Sequence, residues 1–227
     1  MVDISKLKQE QLKFAKKVLI KDEFEKVSLI GGCDQAFIGN KVISQIVVLD
    51  AKTLDIVEKA YAITDSLIPY IPTFSFFREG PAIIEAYQKL STKPDVLLID
   101  SNGILHPRRI GMASHVGVIL DIPTIGVAKV INYGIVQGED ILSDKELVGK
   151  KVLTREFANP LYVSPGHKIT LKSSVDIIRQ CMKQPHKLPE PLHLAHRLVS
   201  KQARKMNVSE SKAIRGSSDI IAENSQN

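Results

Sequence analysis

The apolar and polar positions of this chain form short apolar runs of strand length, separated by longer amphipathic stretches. Residues 96–99 are a continuous apolar run that ends on an acid, Asp100, and a helical pattern follows over residues 111–120. Residues 123–127 form the next apolar run, which ends near Lys129. Because the loops beyond the carboxyl ends of strands hold the chemistry of an open α/β sheet, this alternation predicts charged side chains at one sheet edge.

The N-terminal third predicts a surface helix and three strands. Residues 3–21 place apolar side chains at helical spacing among lysines and glutamates, so we expect an amphipathic helix packed on the sheet. The run that begins at Val27 stops at Asp34, and β-branched stretches follow over residues 42–49 and 56–63. The short connections forbid parallel crossovers, so these strands should form an antiparallel meander.

A helix predicted over residues 81–90 and the strand before Asp100 complete a recognisable order of elements. It is that of an α/β fold with a ribonuclease H-like mixed sheet, three antiparallel strands and then parallel strands, flanked by helices. In that sheet the first and fourth strands are neighbours, so Asp34 and Asp100 should be adjacent. Glu79, just before the helix, could join them, although a helix N-terminus alone explains a carboxylate there. Such an all-oxygen site suits Mg²⁺ or Mn²⁺, and we do not expect zinc.

A loop rich in aromatic residues and proline covers residues 67–77 and contains four of the chain's twelve aromatic residues. Two prolines stiffen it, and Tyr70, Ile71 and Pro72 would then present a rigid wedge. The alternative is a hydrophobic strap beneath the first helix, because aromatic side chains are usually buried. Both interpretations stay open on sequence alone.

The C-terminal region predicts short strands at residues 151–154 and 162–164, then helices over 173–182 and from 189 onward. Between them lies a small-residue loop containing Gly166 and His167, which could offer N–H groups and charge to a phosphate or could be a plain turn. His193 and His196 share one helical face, although lone surface histidines are common.

Composition indicates a single domain with a flexible end. The chain has 227 residues, of which 44% are hydrophobic, and we expect one domain over residues 1–206 with a flexible tail at 207–227.

No apolar window approaches the roughly 18 residues of a membrane span, and the charged N-terminus lacks a signal-peptide core, so we expect a cytoplasmic protein. No coiled-coil pattern appears, and a monomer is the default. Cys33 and Cys181 show no disulfide or metal spacing and should be buried.

Positive charge is concentrated in the C-terminal half of the chain. From residue 150 onward there are 14 Lys and Arg against 6 Asp and Glu, or +8, whereas residues 1–149 hold 17 against 19, or −2. A carboxylate-bearing half joined to a basic flank suits a metal-dependent enzyme that acts on a polyanion. A merely solvated surface is the alternative.

Seven motifs occur in order between residues 31 and 197. They are CDQAF (33–37), PYIP (69–72), FREGP (77–81), LIDSNGILHPRRIGMASHVGV (98–118), PTIGVAK (123–129), SPGH (164–167) and PEPLHLAH (189–196). Together they strongly resemble endonuclease V, a family that cleaves DNA at deoxyinosine.

The resemblance implies roles for individual residues. Asp34 and Asp100 match the acids that hold the catalytic Mg²⁺, and Glu79 matches a third acid near the metal and its water. In the same way, His106 is similar to a histidine at the reaction centre, Lys129 to a lysine that neutralises phosphate charge, and His196 to a histidine near the site. The wedge Tyr70, Ile71 and Pro72 matches the one that enters the duplex where the inosine nucleotide is everted, and Gly103, Gly166 and His167 fall in motifs expected to contact nucleic acid.

Two positions depart from the family pattern. Ser101 follows the metal acid and Thr73 follows the wedge, where family members often have glycine, and both resemble positions whose main chain contacts the everted base. Serine and threonine keep the backbone N–H, so recognition of hypoxanthine remains compatible with both.

The function implied is a Mg²⁺-dependent repair endonuclease, with Mn²⁺ as a substitute, that hydrolyses the second phosphodiester bond 3′ to deoxyinosine and leaves 3′-hydroxyl and 5′-phosphate ends. One alternative is a nuclease of the same fold that acts on inosine-containing RNA or on mismatched or branched DNA. The other is a binder of distorted nucleic acid that does not cut. The complete acid set argues against the binder, because carboxylates repel phosphate unless metal is present.

Overall fold

Nine strands form one mixed sheet in the computed structural model, which describes residues 2–224 and their side chains as far as residue 208. The strands are β1 (Leu29–Ile38), β2 (Lys41–Asp50), β3 (Ile56–Asp65), β4 (Val96–Ile99), β5 (Thr124–Ala128), β6 (Ile135–Gln137), β7 (Asp140–Ser143), β8 (Glu146–Val152) and β9 (Leu161–His167). The helices are α1 (Ile4–Ala15), α2 (Ser75–Gln88), α3 (Met112–Leu120), α4 (Leu171–Gln180) and α5 (Glu190–Asn224).

The sheet order is β3-β2-β1-β4-β5-β9-β8-β7-β6. Strands β1, β2 and β3 pair antiparallel, whereas β1 pairs parallel with β4, and β4 with β5. The predicted α/β fold, with its antiparallel meander and with the first and fourth strands as neighbours, is therefore confirmed.

Helices cover both faces of the sheet, and β4 shows why. Its four residues are all buried, and successive side chains of a strand point to opposite faces. Leu97 and Ile99 pack with the side chains of α2 and α3, whereas Val96 and Leu98 pack with those of α4 and α5. A strand that is buried on both faces has apolar residues at every position, and this pattern made β4 predictable from the sequence.

Asp34 lies in the middle of β1, and the predicted end of that strand at Asp34 is wrong. Residues 35–38 continue the pairing with β2, because the tight turn after Ile38 at Gly39, with φ +52°, joins the two strands directly. The parallel pairing with β4 does end here, since Cys33 opposite Ile99 is its last pair. Asp34 and Asp100 thus follow the last parallel pair on neighbouring strands.

Glu79 does not lie at a helix N-terminus as predicted. Helix α2 begins at Ser75, so Glu79 is in its second turn and Pro81 lies inside it. Proline removes one helical hydrogen bond, but the earlier start buries Phe76 among Ile83 and the other apolar side chains of α2 and α3. Burial of the aromatic side chain outweighs the local signal from proline.

The prediction of a loop around Gly166 and His167 is also wrong, because β9 continues past the strand predicted at residues 162–164 as far as His167. The pairing of β9 with β5 shifts register between Thr124, opposite His167, and Ile125, opposite Pro165, so that Gly166 is the extra residue. Proline is tolerated in a sheet at such an irregularity, because no ladder hydrogen bond is required of it there.

The sheet continues beyond β9 through β8, β7 and β6, of which sequence reasoning predicted only part of β8. The hairpin from β6 to β7 turns at Gly138, whose φ is +64°. Its strands have only three and four residues, too few to show an alternating pattern in the sequence.

Helix α5 extends through residues 207–224, and residues 225–227 lie outside the described part of the chain. The flexibility of residues 207–227 and the domain boundary at 206 stay predictions. Within the described residues, none of the helices is long and apolar enough to cross a membrane.

Candidate active site

Three side chains from distant parts of the chain meet at the edge where β1 and β4 stop pairing. One ligand atom each from Asp34, Asp100 and His196 lie within 4.8 Å of one another. Asp34 is in β1, Asp100 follows β4, and His196 comes from α5. The helix reaches the sheet because Gly32 has no side chain: a Cβ there would lie 2.2 Å from the backbone of Pro191.

His196 is oriented by Asp34. Its Nδ1 lies 2.7 Å from Asp34 Oδ2, and since an ionised carboxylate only accepts hydrogen bonds, Nδ1 donates its proton to that oxygen. The other carboxylate oxygen, Oδ1, accepts from the backbone N–H of Gln35 at 2.8 Å. About half of the His196 side chain is exposed, so the second ring nitrogen is free to face a substrate. Of the two histidines on this helical face, His196 is the one that contacts Asp34. The ring of His193 stacks on that of His186, with the ring centroids 3.6 Å apart.

Lys129 contacts Asp100 directly. Its Nζ forms an ion pair with Asp100 Oδ2, and the lysine side chain remains 40% exposed while that of the aspartate is 11% exposed. The lysine follows β5, the strand next to β4. The ammonium group of Lys129 therefore lies against the carboxylate of Asp100, and the two residues follow neighbouring parallel strands.

Burial and neighbouring charge raise the pKa values of two acids at this site, Asp100 and Glu79. Burial raises the pKa of Asp100, the charge of Asp34 raises it further, and Lys129 opposes both. Burial also raises the pKa of Glu79 to about 7, with Arg78 lowering it and Asp34 adding to the rise. Closely spaced carboxyls with raised pKa values repel one another when ionised, and a bound divalent cation relieves that repulsion.

The donor set fits a hard divalent cation. The Asp34 and Asp100 carboxylates supply oxygen ligands, as Mg²⁺ requires, and Glu79 is outside the group of atoms within 4.8 Å. His196 could add a nitrogen ligand only through Nε2, because its Nδ1 donates to Asp34, and such a ligand would make Mn²⁺ more suitable than oxygen ligands alone would. These residues could therefore hold a divalent ion.

A cavity of about 570 Å³ opens beside the acids. Its wall includes six residues expected at the site, namely Tyr70, Pro72, Thr73, Glu79, Ser101 and His106, and others that sequence reasoning missed, among them Gln11, Asn132 and Tyr133. Gly103 does not line this cavity. Its N–H donates to Ser164 Oγ at 2.9 Å inside the protein. A concave site with a few polar groups is where a small ligand or a single base fits.

The aromatic loop divides into an exposed half and a buried half. Tyr70 is 63% exposed, Pro72 is exposed and Ile71 is half-buried, whereas Phe74 and Phe76 are buried. The phenylalanines pack inside the protein, Phe76 among the side chains of α2 and α3 and Phe74 against Arg108, and the residues expected to form the wedge are more exposed. A strap beneath the first helix stays a prediction.

His106 uses both ring nitrogens inside the protein. Nδ1 accepts the N–H of Arg108 at 3.2 Å, so Nε2 holds the proton and donates to Thr73 O at 3.0 Å. Burial lowers the pKa of His106 to about 4, with Arg108 contributing. The imidazole is therefore neutral at physiological pH.

The two ring nitrogens of His167 also contact other parts of the protein. It is buried, its Nδ1 accepts the N–H of Leu19 at 3.2 Å, and its Nε2 faces Asp121 at 3.7 Å. The contact of Gly166 and His167 with nucleic acid stays a prediction, without support from their positions.

Basic side chains follow His196 along α5. They line a surface cavity of about 700 Å³ together with His193 and His196, and they are Arg197, Lys201, Arg204 and Lys205. Part of the positive C-terminal half therefore lies next to the acid pair. The cysteines Cys33 and Cys181 are free and buried, as predicted.

Comparison with known proteins identifies the family. The model of the Endonuclease V family matches residues 12–197. An Endonuclease V from Dictyoglomus turgidum is 44% identical over 202 residues, which cover 86% of this chain and 87% of that protein. One from Rippkaea orientalis is 40% identical over 213 residues, 88% of this chain and 91% of that protein.

The chain belongs to the Endonuclease V family.

Solved structures of the family share its fold. The crystal structure of Endonuclease V from Streptomyces avermitilis superposes with a TM-score of 0.84 at 28% identity, covering 91% of this chain and 96% of that one. A Ciona intestinalis Endonuclease V in complex with a 23mer DNA containing an inosine followed by a ribo-adenosine gives a TM-score of 0.82 at 28% identity, covering 91% of this chain and 100% of that one. The resemblance stated from the seven motifs is confirmed, and the chain is a deoxyribonuclease of the DNA repair class.

Proposed function

We propose that this family member is a Mg²⁺-dependent endonuclease that recognises deoxyinosine in DNA and hydrolyses the second phosphodiester bond on its 3′ side, leaving 3′-hydroxyl and 5′-phosphate ends. The main support is the proximity of an exposed wedge, a base-sized cavity and an acid pair. Tyr70 and Glu79 line that one cavity together. The Ciona protein with inosine-containing DNA supports the choice of base.

The wedge and cavity provide recognition. Everting a nucleotide costs a few kcal/mol of lost stacking and pairing, and the cost is lowest at a weakly paired base. Tyr70 would fill the vacated space in the duplex, and the cavity would receive the base against Thr73 and Ser101. A weakly paired base is therefore everted more readily than a normally paired one, which makes the protein selective for it.

The chemistry requires charge neutralisation, a nucleophilic water and a stabilised leaving oxygen. Mg²⁺ held by Asp34 and Asp100 would neutralise phosphate charge and lower the pKa of a bound water, and we expect Mn²⁺ to substitute. Lys129, already paired with Asp100, would shift toward the scissile phosphate. Glu79, with its pKa of about 7, can accept a proton near neutral pH, and His196 is held in orientation by its Nδ1 contact with Asp34.

A second candidate substrate has a specific observation in its favour. The DNA of the Ciona complex contains a ribo-adenosine after the inosine, so that protein accommodates a 2′-hydroxyl next to the lesion. We therefore retain inosine-containing RNA as an alternative substrate. Cleavage of mismatched or branched DNA and a monomeric, cytoplasmic protein remain expectations from the sequence.

The deciding experiment is cleavage of end-labelled duplexes that differ only in one deoxyinosine, each with Mg²⁺ and with EDTA, beside the same inosine in single-stranded RNA. We expect a Mg²⁺-dependent nick one nucleotide beyond the deoxyinosine. Cutting of RNA alone would favour the alternative substrate. Binding without cutting at any metal concentration would contradict the proposal.

A further inference from the structure

Thr73, immediately after the wedge, has an unusual backbone conformation. Its φ is +69°, a value that glycine adopts easily and a β-branched residue rarely does. A glycine would adopt this conformation without strain. In this chain, contacts from elsewhere in the fold must hold the strained conformation in place.

Three donors converge on the carbonyl oxygen of Thr73. Gln11 Nε2 donates at 2.8 Å, His106 Nε2 at 3.0 Å, and a terminal guanidinium nitrogen of Arg108 at 3.1 Å. The same Arg108 nitrogen donates to Thr73 Oγ1 at 2.5 Å. A carbonyl oxygen has two lone pairs, so three donors exceed what ordinary pairing of a loop requires.

The donors are themselves fixed in orientation. Gln11, only 1% exposed in α1, accepts from Arg108 Nε at 2.5 Å through its Oε1, which leaves its amide nitrogen directed at Thr73. The N–H of Arg108 fixes the ring of His106. The Arg108 guanidinium also lies 4.5 Å from the centre of the Phe74 ring. These contacts join α1, the segment after β4 and the aromatic loop.

We propose that Gln11, His106 and Arg108 form a clamp on Thr73 that holds the wedge of Tyr70, Ile71 and Pro72 ready for insertion. They are positioning residues that set the discrimination of inosine, and His106 acts through Thr73 and not as an acid or base. The role of the clamp in discrimination rests on the proposed function. The existence of the clamp does not, because its contacts are made within the free protein.

A fixed wedge improves selectivity for a physical reason. A mobile loop loses conformational entropy when it inserts, and that cost weakens the everted complex without affecting general contacts with phosphates. Loss of the clamp should therefore reduce discrimination more than affinity. A neutral histidine with both nitrogens bonded is suited to this static role, and the low pKa of His106 agrees with it.

The test compares Gln11→Met and His106→Ala with His106→Gln. Methionine keeps the volume of Gln11 without its polar amide, and glutamine at 106 keeps a side-chain N–H donor for Thr73. Gln9→Met is the matched control, since Gln9 is exposed on the same helix. Tyr70→Ala serves as the reference for a missing wedge.

The first measurement is hydrogen exchange of a peptide covering residues 67–77 in the free protein. We expect at least about fivefold faster exchange in Gln11→Met and His106→Ala, and wild-type rates in Gln9→Met, because the loop opens more often once a stabilising hydrogen bond is removed. If exchange in both clamp variants equals that of the control, the clamp does not exist, whatever the substrate. If Gln11→Met fails to fold, the contrast between His106→Ala and His106→Gln decides the question alone.

The second measurement is fluorescence of 2-aminopurine placed beside deoxyinosine in a duplex, with EDTA present, together with single-turnover cleavage in Mg²⁺. We expect Gln11→Met and His106→Ala to lower discrimination between inosine and undamaged DNA about tenfold, the effect of removing one hydrogen bond, while affinity for undamaged duplex changes less than about twofold. His106→Gln should regain most of the discrimination, with an unaltered pH profile between pH 5 and 8.

Two results of the second measurement would also overturn the inference. A greatly slowed His106→Gln whose pH profile has lost a limb present in wild type would show proton transfer by His106. Unchanged discrimination in Gln11→Met, despite faster exchange of the loop, would show that a held wedge is not required. Failure of the wild-type protein to distinguish inosine would instead contradict the proposed function, and the exchange data would still test the clamp.

Discussion

Asp34 and His196 are 162 residues apart in the chain, yet Asp34 Oδ2 and His196 Nδ1 are separated by 2.7 Å. Strand β1, near the centre of the sheet, and the last helix, α5, therefore each contribute a side chain to the acid site. This contact makes the C-terminal helix part of the catalytic edge and brings its basic side chains close to the acids.

Removing either metal acid should abolish cleavage. For Asp34→Ala and Asp100→Ala we expect a fall in single-turnover rate of at least about a thousandfold, because the loss affects both the water and the leaving oxygen. The increase in Tm caused by Mg²⁺ should also disappear, since a ligand that binds only the folded state stabilises it. Binding of inosine duplex in EDTA should persist. Asp55→Ala, in the exposed connection between β2 and β3, is the control, and turnover retained in either site variant would disprove the metal assignment.

The buried carboxyl of Glu79 should make a destabilising contribution to the metal-free protein that grows as pH rises toward neutrality. Burial raises the pKa of Glu79 to about 7, so between about pH 4.5 and 7 the folded protein holds a proton on this group that the unfolded chain has released. This group should lower the free energy of unfolding with rising pH by on the order of 2 kcal/mol, whereas buried His106 and His115, whose pKa values are lowered to about 4 and about 3, act in the opposite direction. Urea denaturation in EDTA at pH 5 and 7.5 measures the change.

The difference in free energy of unfolding between wild type and Glu79→Gln should therefore fall between pH 5 and 7.5, whereas the difference between wild type and Glu85→Gln, whose side chain is 44% exposed on the same helix, should stay constant. The raised pKa of Asp100 and the lowered pKa values of the histidines are common to all three proteins, so their contributions cancel in this comparison. Equal slopes in wild type and Glu79→Gln would show that Glu79 is ionised in the metal-free protein.

Gly126→Ala should destabilise the catalytic edge. A Cβ at Gly126 in β5 would lie 2.1 Å from the backbone nitrogen of Gly103, in the loop that follows Asp100. The loop would have to move, and we expect a loss of about 1 to 3 kcal/mol in the free energy of unfolding, as for overpacked cores. Thermal denaturation measures it. Gly39→Ala, where only the positive φ is affected and no atom lies within 4 Å, should cost less, and the opposite ranking would contradict the close approach.

The basic face of α5 should contribute to salt-dependent DNA binding. Lys201 and Arg204 line the surface cavity next to His196, where each could neutralise a phosphate of the duplex. Neutralising one phosphate fewer should reduce the slope of log K against log salt by about 0.9, because fewer counterions are then released. We therefore expect Lys201→Gln and Arg204→Gln each to flatten the slope by this amount in titrations between about 50 and 200 mM salt. Lys172→Gln, paired with Asp176 on α4, is the control, and identical slopes in all variants would place the duplex elsewhere.

Local sequence patterns determined the order of elements and the adjacency of Asp34 and Asp100. The order follows from apolar runs and from connection lengths, and the adjacency follows from the likeness of that order to a ribonuclease H-like sheet. The roles of Glu79 and His106 were expected because FREGP and the HPR motif resemble those of endonuclease V. These features are carried by residues close together in sequence, which is why they could be predicted.

Tertiary packing decided the rest. The clamp on Thr73 joins residues 62 and 33 positions away from it, and no local pattern marks Gln11, whose helix predicts only a solvated polar face. Ser164 to His167 join the sheet because β5 pairs with that segment and β8 with the residues just before it, although its composition is typical of a turn. Sequence alone thus determined which chemical groups this protein has and the strand order that brings its acids together. Only burial and long-range pairing decided which of those groups contact one another, because these free energies depend on neighbours that are distant in the chain.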